Sequence, residues 1–374
     1  MDFTFSEEQQ AVAAVAEQIF TGRATVTRLK EVERSPERVD RDLWADLAAA
    51  NLLGISLPED DGGSGLGVIE LGLVLEQQGR RLAPVPVVWS AVAAMTIAEF
   101  AHDPAMRAML EPVIRGDVIL TSALAEAGAG DPFEPALVAT PAGSGWTLTG
   151  TKPSVPAAHM AHRILAPARV AGSGDLLVVL LDPSLPGVRA ERAEATNREL
   201  LTHLELSDVR VGPEAVLAGP ADGARATRFA YERTLVGLAA LQLGVAEEAL
   251  AQAATYTSNR IQFGKPLSSF QSTAVKAADA YIDTEAIRAT LWQAAWRLDR
   301  GIDAATEVEV AKWWAAEAGQ RVVHTTQHLH GGMGADIEYP IHRYFLWGKQ
   351  LEDTLGGGSA HLARIGAALA GNRA

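Results

Sequence analysis

Apolar and polar positions along this chain change their period twice. From Ser6 to about Arg115 apolar residues recur at three- and four-residue steps, most clearly over residues 12–20 and 43–53, and that spacing predicts amphipathic helices. Ser6 followed by Gln9 is the signature of a capping box at the first helix start. Residues 57–65, LPEDDGGSG, interrupt this block as a turn-rich loop. Between about Asp117 and Pro213 the runs become short and β-branched or alternating, at 118–123, 146–148, 164–165, 176–181 and 204–211, with Gly, Pro, Asp and Ser between them. They predict a small β-domain. From about Gly223 long helical patterns return over 231–260, 269–298 and 306–328, with a last helix from about His361. The fold class is therefore α+β in three blocks, residues 1–116, 117–215 and 216–374. No internal repeat or low-complexity tract is evident.

Composition narrows the classes. With 374 residues and 48% apolar content the chain can build several cores. The acidic N-terminus, MDFTFSEEQQ, lacks the basic and apolar regions of a signal peptide, and the longest apolar runs, such as 176–181, are far shorter than a membrane span. A soluble, cytoplasmic protein with no membrane association is expected. Zero cysteine excludes disulfides, thiolate metal sites and cysteine nucleophiles. A formal charge of −14 argues against nucleic acid as a partner, because phosphate neutralisation supplies that affinity. A polyanionic ligand would need a local arginine cluster against the global field.

Two segments of the last third carry candidate chemistry. Arg260 closes a long helical pattern and is followed by Gln262 and Phe263 before Gly264-Lys265-Pro266 forces a turn. Taken alone this is a helix stop, with a basic side chain near the last carbonyls. Residues 327–334 read QHLHGGMG, and Gly331-Gly332 after a helix is by itself a left-handed C-cap. His324 and His328 stand at i and i+4 with His330 close by, a spacing that zinc sites use. No further acidic or histidine ligand follows at the required distance, so no metal is expected.

In this order and spacing, Arg260 to Pro266 with Gln271, then Gln327 to Gly334, with Glu338-Tyr339-Pro340 beyond, the chain resembles the acyl-CoA dehydrogenase family over nearly its whole length. The resemblance implies an N-terminal α-helical domain, a middle small β-barrel or sandwich, and a C-terminal four-helix bundle. It implies FAD, an acyl-CoA substrate and electron-transfer flavoprotein or a similar acceptor. It also implies a tetramer in which each FAD is shared between neighbouring subunits. The residues that match the family's cofactor contacts are Arg260, Gln262, Phe263, Gln271, His328, Gly331 and Gly332. Arg260 would pair with the pyrophosphate of a neighbour's FAD, for which a guanidinium fork is suited. The glycine turn would bring backbone close to the same FAD. The family's glutamine three positions before the first glycine is His328 here, with Gln327 one step earlier.

The departures are as informative. Where the family places its catalytic glutamate, in E-G-[TS], this chain reads Leu355-Gly356-Gly357-Gly358, and an aliphatic side chain cannot accept a proton. The alternative base position, counted back from Arg260, is Thr234. Glu232 is a fallback, but two helical residues lie about 200° apart, so it should face away from the site Thr234 faces. The family's loop T-E-P-G-A-G-S-D appears as residues 125–132, AEAGAGDP, without its hydroxyls. The family's W-[IV]-[TS] element is Ser154-Val155-Pro156, with no aromatic ring and no N–H at Pro156.

Contacts to the chain's own flavin ring are thus missing, whereas contacts to a neighbour's FAD are mostly present. The chain resembles the base-lacking subunit of heterotetrameric (α2β2) enzymes of actinobacterial steroid degradation, which oxidise CoA thioesters of sterol side chains. A base-bearing paralogous subunit is the implied partner. The competing readings are an active homotetramer using Glu232 or Asp131, a flavin monooxygenase of the same fold, and a purely structural subunit.

Overall fold

The structure, a computed structural model, describes residues 4–129 and 131–371. Seven helices come first: α1 (Glu7–Arg23), α2 (Val26–Val32), α3 (Arg41–Ala49), α4 (Val68–Arg81), α5 (Val87–Phe100), α6 (Pro104–Arg107) and α7 (Leu110–Ile114). Eight strands follow: β1 (Leu120–Ser122), β2 (Val138–Ala142), β3 (Gly145–Pro156), β4 (Arg163–Val170), β5 (Leu176–Leu181), β6 (Val188–Glu194), β7 (Leu200–Val211) and β8 (Val216–Ala218). The last part holds α8 (Gly223–Asn259), the short strands β9 (Ile261–Gln262) and β10 (Lys265–Pro266), α9 (Gln271–Asp299), α10 (Ala305–Leu329), α11 (Ile341–Asp353) and α12 (Gly358–Gly371). The chain forms two compact units, one of residues 1–30, 68–83 and 235–374, the other of residues 31–67 and 84–234.

The first unit is helical. Its α1 starts where the sequence places it: Gln9 N–H donates to Ser6 Oγ at 3.2 Å and Ser6 N–H donates to Gln9 Oε1 at 2.9 Å, a closed capping box. The start of α4 is capped by a residue far away in sequence. The Asp299 carboxylate accepts the N–H groups of Val68 at 2.6 Å and Ile69 at 3.0 Å, placing negative charge at the positive end of the helix. Glycine lets α4 and α8 touch through backbone: a Cβ on Gly79 would lie 2.1 Å from the Leu241 carbonyl oxygen, and one on Gly244 would lie 2.0 Å from that of Glu76. Beside this contact Arg80 bridges Glu76 at 3.0 Å and Glu247, which also pairs with Arg288 of α9. The central helix is α10, against which α9, α11 and α12 all pack.

The second unit is built on one sheet in the order β6-β7-β3-β2-β4-β5-β8, with β1 joining β4 in parallel. Its core includes Leu148, Ile164, Leu177, Val179, Leu204 and Leu206. Strand β5, LLVVLL, is buried along its whole length, which is why it reads as an unbroken apolar run. Strand β6, VRAERAE, is exposed from its second residue on and carries charges along a sheet edge. That leaves it no apolar period to read. The register between β3 and β7 shifts between Lys152 and Val155, and Ser154 within that bulge has φ +52°.

One expectation about apolar runs needs correction. Helix α8 contains a stretch long and apolar enough by length and composition to cross a membrane, and 78% of that stretch is buried inside the protein. Its hydropathy is spread over alanine-rich sequence, so no single run announces it.

Candidate cofactor site

Helix α8 ends at Asn259 and delivers Arg260 into a hairpin in which β9 and β10 pair antiparallel, Gln262 opposite Lys265 and Ile261 opposite Pro266. Phe263 and Gly264 turn it with φ +53° and +77°, the backbone signs of a two-residue type I′ turn. Phenylalanine in that conformation costs about 1–2 kcal/mol. Its side chain is nevertheless 92% exposed, and Ile261 and Gln262 are exposed beside it. Among the described residues the ring near Phe263 is Phe270, edge-on at 6.2 Å, over which Lys265 Nζ sits at 4.2 Å. Arg260 is exposed, and its guanidinium has no hydrogen-bond or ion-pair partner among the described residues. An open groove of about 570 Å³ runs along α8 past Gln252, Tyr256, Asn259 and Arg260 to Tyr339.

The second motif is joined to the first by aromatic rings. His330, buried at the end of α10, stacks on Tyr256 with centroids 4.5 Å apart, and Tyr339 closes on both. His330 Nδ1 faces the Thr326 carbonyl at 2.7 Å, whereas its buried Nε2 has no partner among the described residues. Burial pushes this imidazole below its ordinary pKa.

Gly331 follows with φ +58°. Gly334 is required internally, because a Cβ there would lie 2.5 Å from the Gln327 carbonyl oxygen, and Gln327 Nε2 donates to the Gly334 carbonyl at 2.9 Å. Gly332 is different. It has no positive φ, and a Cβ on it would meet nothing within 4 Å. Neither backbone strain nor packing among the described residues asks for glycine at 332. His328 is exposed and lies 2.8 Å from Lys276 Nζ, and Gln271 is exposed as the first residue of α9. His324 packs edge-on against Phe345 at 4.7 Å. The three histidines thus have three different sets of neighbours.

In the second unit the loop that carries Glu126 is tied down by an ion pair. Glu126 Oε1 accepts from Lys152 Nζ at 2.5 Å, with side chains only 4% and 1% exposed, and Glu126 Oε2 accepts the Ala136 N–H at 3.0 Å. Both carboxylate oxygens are thereby engaged. Pro156 offers no donor, and its carbonyl accepts from Thr121 Oγ1 at 2.6 Å.

The candidate base positions have different surroundings. Thr234 is 0% exposed, and its hydroxyl donates to the Ala230 carbonyl at 2.7 Å. Glu232 lies 3.9 Å from Arg228. Asp131 Oδ1 accepts the Phe133 N–H at 2.9 Å. Leu355 is half-buried in the turn between α11 and α12, with φ +60°. Sequence reasoning missed what supports these positions: Tyr256 and its packing with Tyr339, the Glu126–Lys152 pair, and the side chains under the Leu355 turn. Residues distant in sequence signal nothing until the fold joins them.

The helical N-terminal part, the central sheet and the helical C-terminal part define the class, and the comparisons agree. The chain belongs to the acyl-CoA dehydrogenase family: residues 6–117 match its N-terminal domain and residues 223–370 its C-terminal domain. FAD is the cofactor of this family. The chain is 38% identical to the acyl-CoA dehydrogenase FadE27 of Mycobacterium tuberculosis, covering 99% of both chains. Among solved structures it is similar to a variant of the Tcur3481–Tcur3483 steroid acyl-CoA dehydrogenase, at 46% identity and TM-score 0.92 over 98% of this chain and 99% of that one. It is similar also to the ChsE4–ChsE5 complex of Mycobacterium tuberculosis, at 37% identity and TM-score 0.93 over 99% of each chain.

Proposed function

We propose that this chain is the base-lacking subunit of a heterotetrameric acyl-CoA dehydrogenase that desaturates a sterol side-chain CoA thioester. In this reading it lends Arg260, the Phe263 hairpin, Gln271 and the Gly331–Gly332 turn to the FAD of a base-bearing paralogous subunit. The observation that carries it is the contrast between the two halves. An unpaired guanidinium, an outward Phe263 and an unfilled Gly332 form a surface suited to a pyrophosphate brought by another chain. Residues 154–156, by contrast, have no aromatic ring and no N–H at Pro156, and both carboxylate oxygens of Glu126 are engaged.

Bound FAD supplies the hydride acceptor for desaturation, with electron-transfer flavoprotein or a similar protein taking the electrons onward. This chain's residues hold the dinucleotide by charge and backbone approach. Proton removal falls to the partner's carboxylate, since Leu355 and Thr234 cannot accept a proton. The steroid class is supported by the similarity to a steroid acyl-CoA dehydrogenase. The homotetramer reading would need Asp131, which is exposed, or Glu232, which lies 3.9 Å from Arg228, as its base.

The test is expression alone and with a base-bearing paralogue. The chain alone should be poorly flavinated and inactive toward acyl-CoA with an artificial acceptor, and the pair should be yellow and active. A yellow, active homotetramer would overturn the proposal.

A further inference from the structure

The turn that carries Leu355 is held by more buried charge than a silent position requires. Leu355 and Gly356 have φ +60° and +108°, and the first is a conformation that leucine rarely adopts. Lys312 of α10, buried, points its ammonium at three carbonyl oxygens: Leu351 at 3.1 Å, Glu352 at 3.0 Å and Gly356 at 3.2 Å. Three donors meet three acceptors, two of them in the last turn of α11, where a cation is favoured by the helix dipole. The Gly356 carbonyl also faces His361 Nε2 at 2.9 Å, while His361 Nδ1 lies 2.6 Å from Glu309 Oε2. His361 is 0% exposed.

Both ring nitrogens of His361 therefore face oxygen acceptors. A neutral imidazole has one N–H and can satisfy one of them. The arrangement as built needs a second proton, on the ring or shared with the Glu309 carboxylate.

We propose that Lys312 and His361 are positioning residues that hold residue 355, the family's base position, in its left-handed conformation, and that the His361 arm closes only while an additional proton is shared between His361 and Glu309. The inference does not depend on the division of labour proposed above. It concerns how the turn is held, whatever residue 355 does.

The charged groups around the arm are Glu309 and Lys312 of α10 and Arg364 of α12, with Glu352 and Asp353 facing Lys312 from the end of α11. Glu317 of α10 lies against Gly358. Burial is the largest influence and pushes His361 below the ordinary imidazole value. Glu309 opposes this, while Lys312 and Arg364 push the same way as burial. The sign follows: the closed arm is present at acid pH and is lost as pH rises through a value below that of free imidazole. Lys312, pulled down by burial to about 8, stays charged through that window.

The amides of Thr354 and Gly356 donate within the turn, to the carbonyls of Gln350 and Asp353, both at 3.1 Å, so amide hydrogen exchange reads the latch directly. In the full chain as purified, with exchange times scaled for intrinsic rates, residues 353–358 should be about tenfold better protected near pH 4.5 than near pH 7.5, with the change centred below the free-imidazole value. Glu309→Gln should abolish that difference and stay protected at both values, because its carboxamide N–H can donate to Nδ1 and leave Nε2–H for Gly356. His361→Ala should be unprotected at both. Lys312→Arg should retain the wild-type pH response, whereas Lys312→Met should expose the turn at either pH. Equal protection of the wild type at both values, or an unchanged pH response in Glu309→Gln, would overturn the proposal.

Discussion

Tyr256 and His330 stack ring on ring, 4.5 Å between centroids and 27° between planes. One sits a single helical turn before Arg260 and the other directly before Gly331. The stack therefore couples the end of α8 to the end of α10. Two motifs separated by about 70 residues are held together by packing inside the chain, and the Arg260 guanidinium has no partner among the described residues. A surface ordered from behind and unsatisfied in front is what a lent binding half requires, since preorganisation lowers the cost of binding.

Arg260→Ala, made in the complex with a base-bearing paralogue, should strip FAD from the partner's site. Loss of a charge-assisted contact to pyrophosphate removes about 1.5–3 kcal/mol, on the order of a tenfold or greater loss of affinity. Flavin content by absorbance should fall, and activity should fall with it. Unchanged flavin content would mean that Arg260 serves only to end α8.

Leu355→Glu should create no new active site in this chain. A base gains nothing without a hydride acceptor beside it, and residues 154–156 have no N–H at Pro156 or aromatic ring to hold one. Turnover of the complex should stay at the wild-type value. A doubling would show that this chain positions its own flavin.

Lys152→Met should destabilise the second unit by about 3–5 kcal/mol, because it leaves the Glu126 carboxylate buried without its cation. Adding Glu126→Gln should recover much of that loss, since the amide can still accept the Ala136 N–H. Chemical denaturation of the single and double variants measures both. Equal instability of the two would place the cost in lost packing and not in the unpaired charge.

Much of the fold was legible because burial leaves a period. The capping box at Ser6, strand β5 and the long helices of the last third all stand where apolar spacing puts them. Strand β6 was not legible, since an exposed charged edge has no apolar face. Helix α11 lies between two motif segments and the sequence pattern does not announce it, although Ile341, Tyr344, Trp347 and Leu351 mark a buried face. At the site, Arg260 and Phe263 could be named from sequence. That Gln327 is engaged by Gly334 could not, nor that Lys312 and His361 converge on one carbonyl. Those relations join helices and loops whose sequence neighbours give no hint of one another.

The central claim is that each complete site takes its ring-holding half from the partner and its lending half from this chain. The direct measurement is the ratio of flavin to protein in the co-purified tetramer, from flavin absorbance and quantitative amino-acid analysis. Two FAD per four chains is the expected result, and four FAD per four chains would contradict the account.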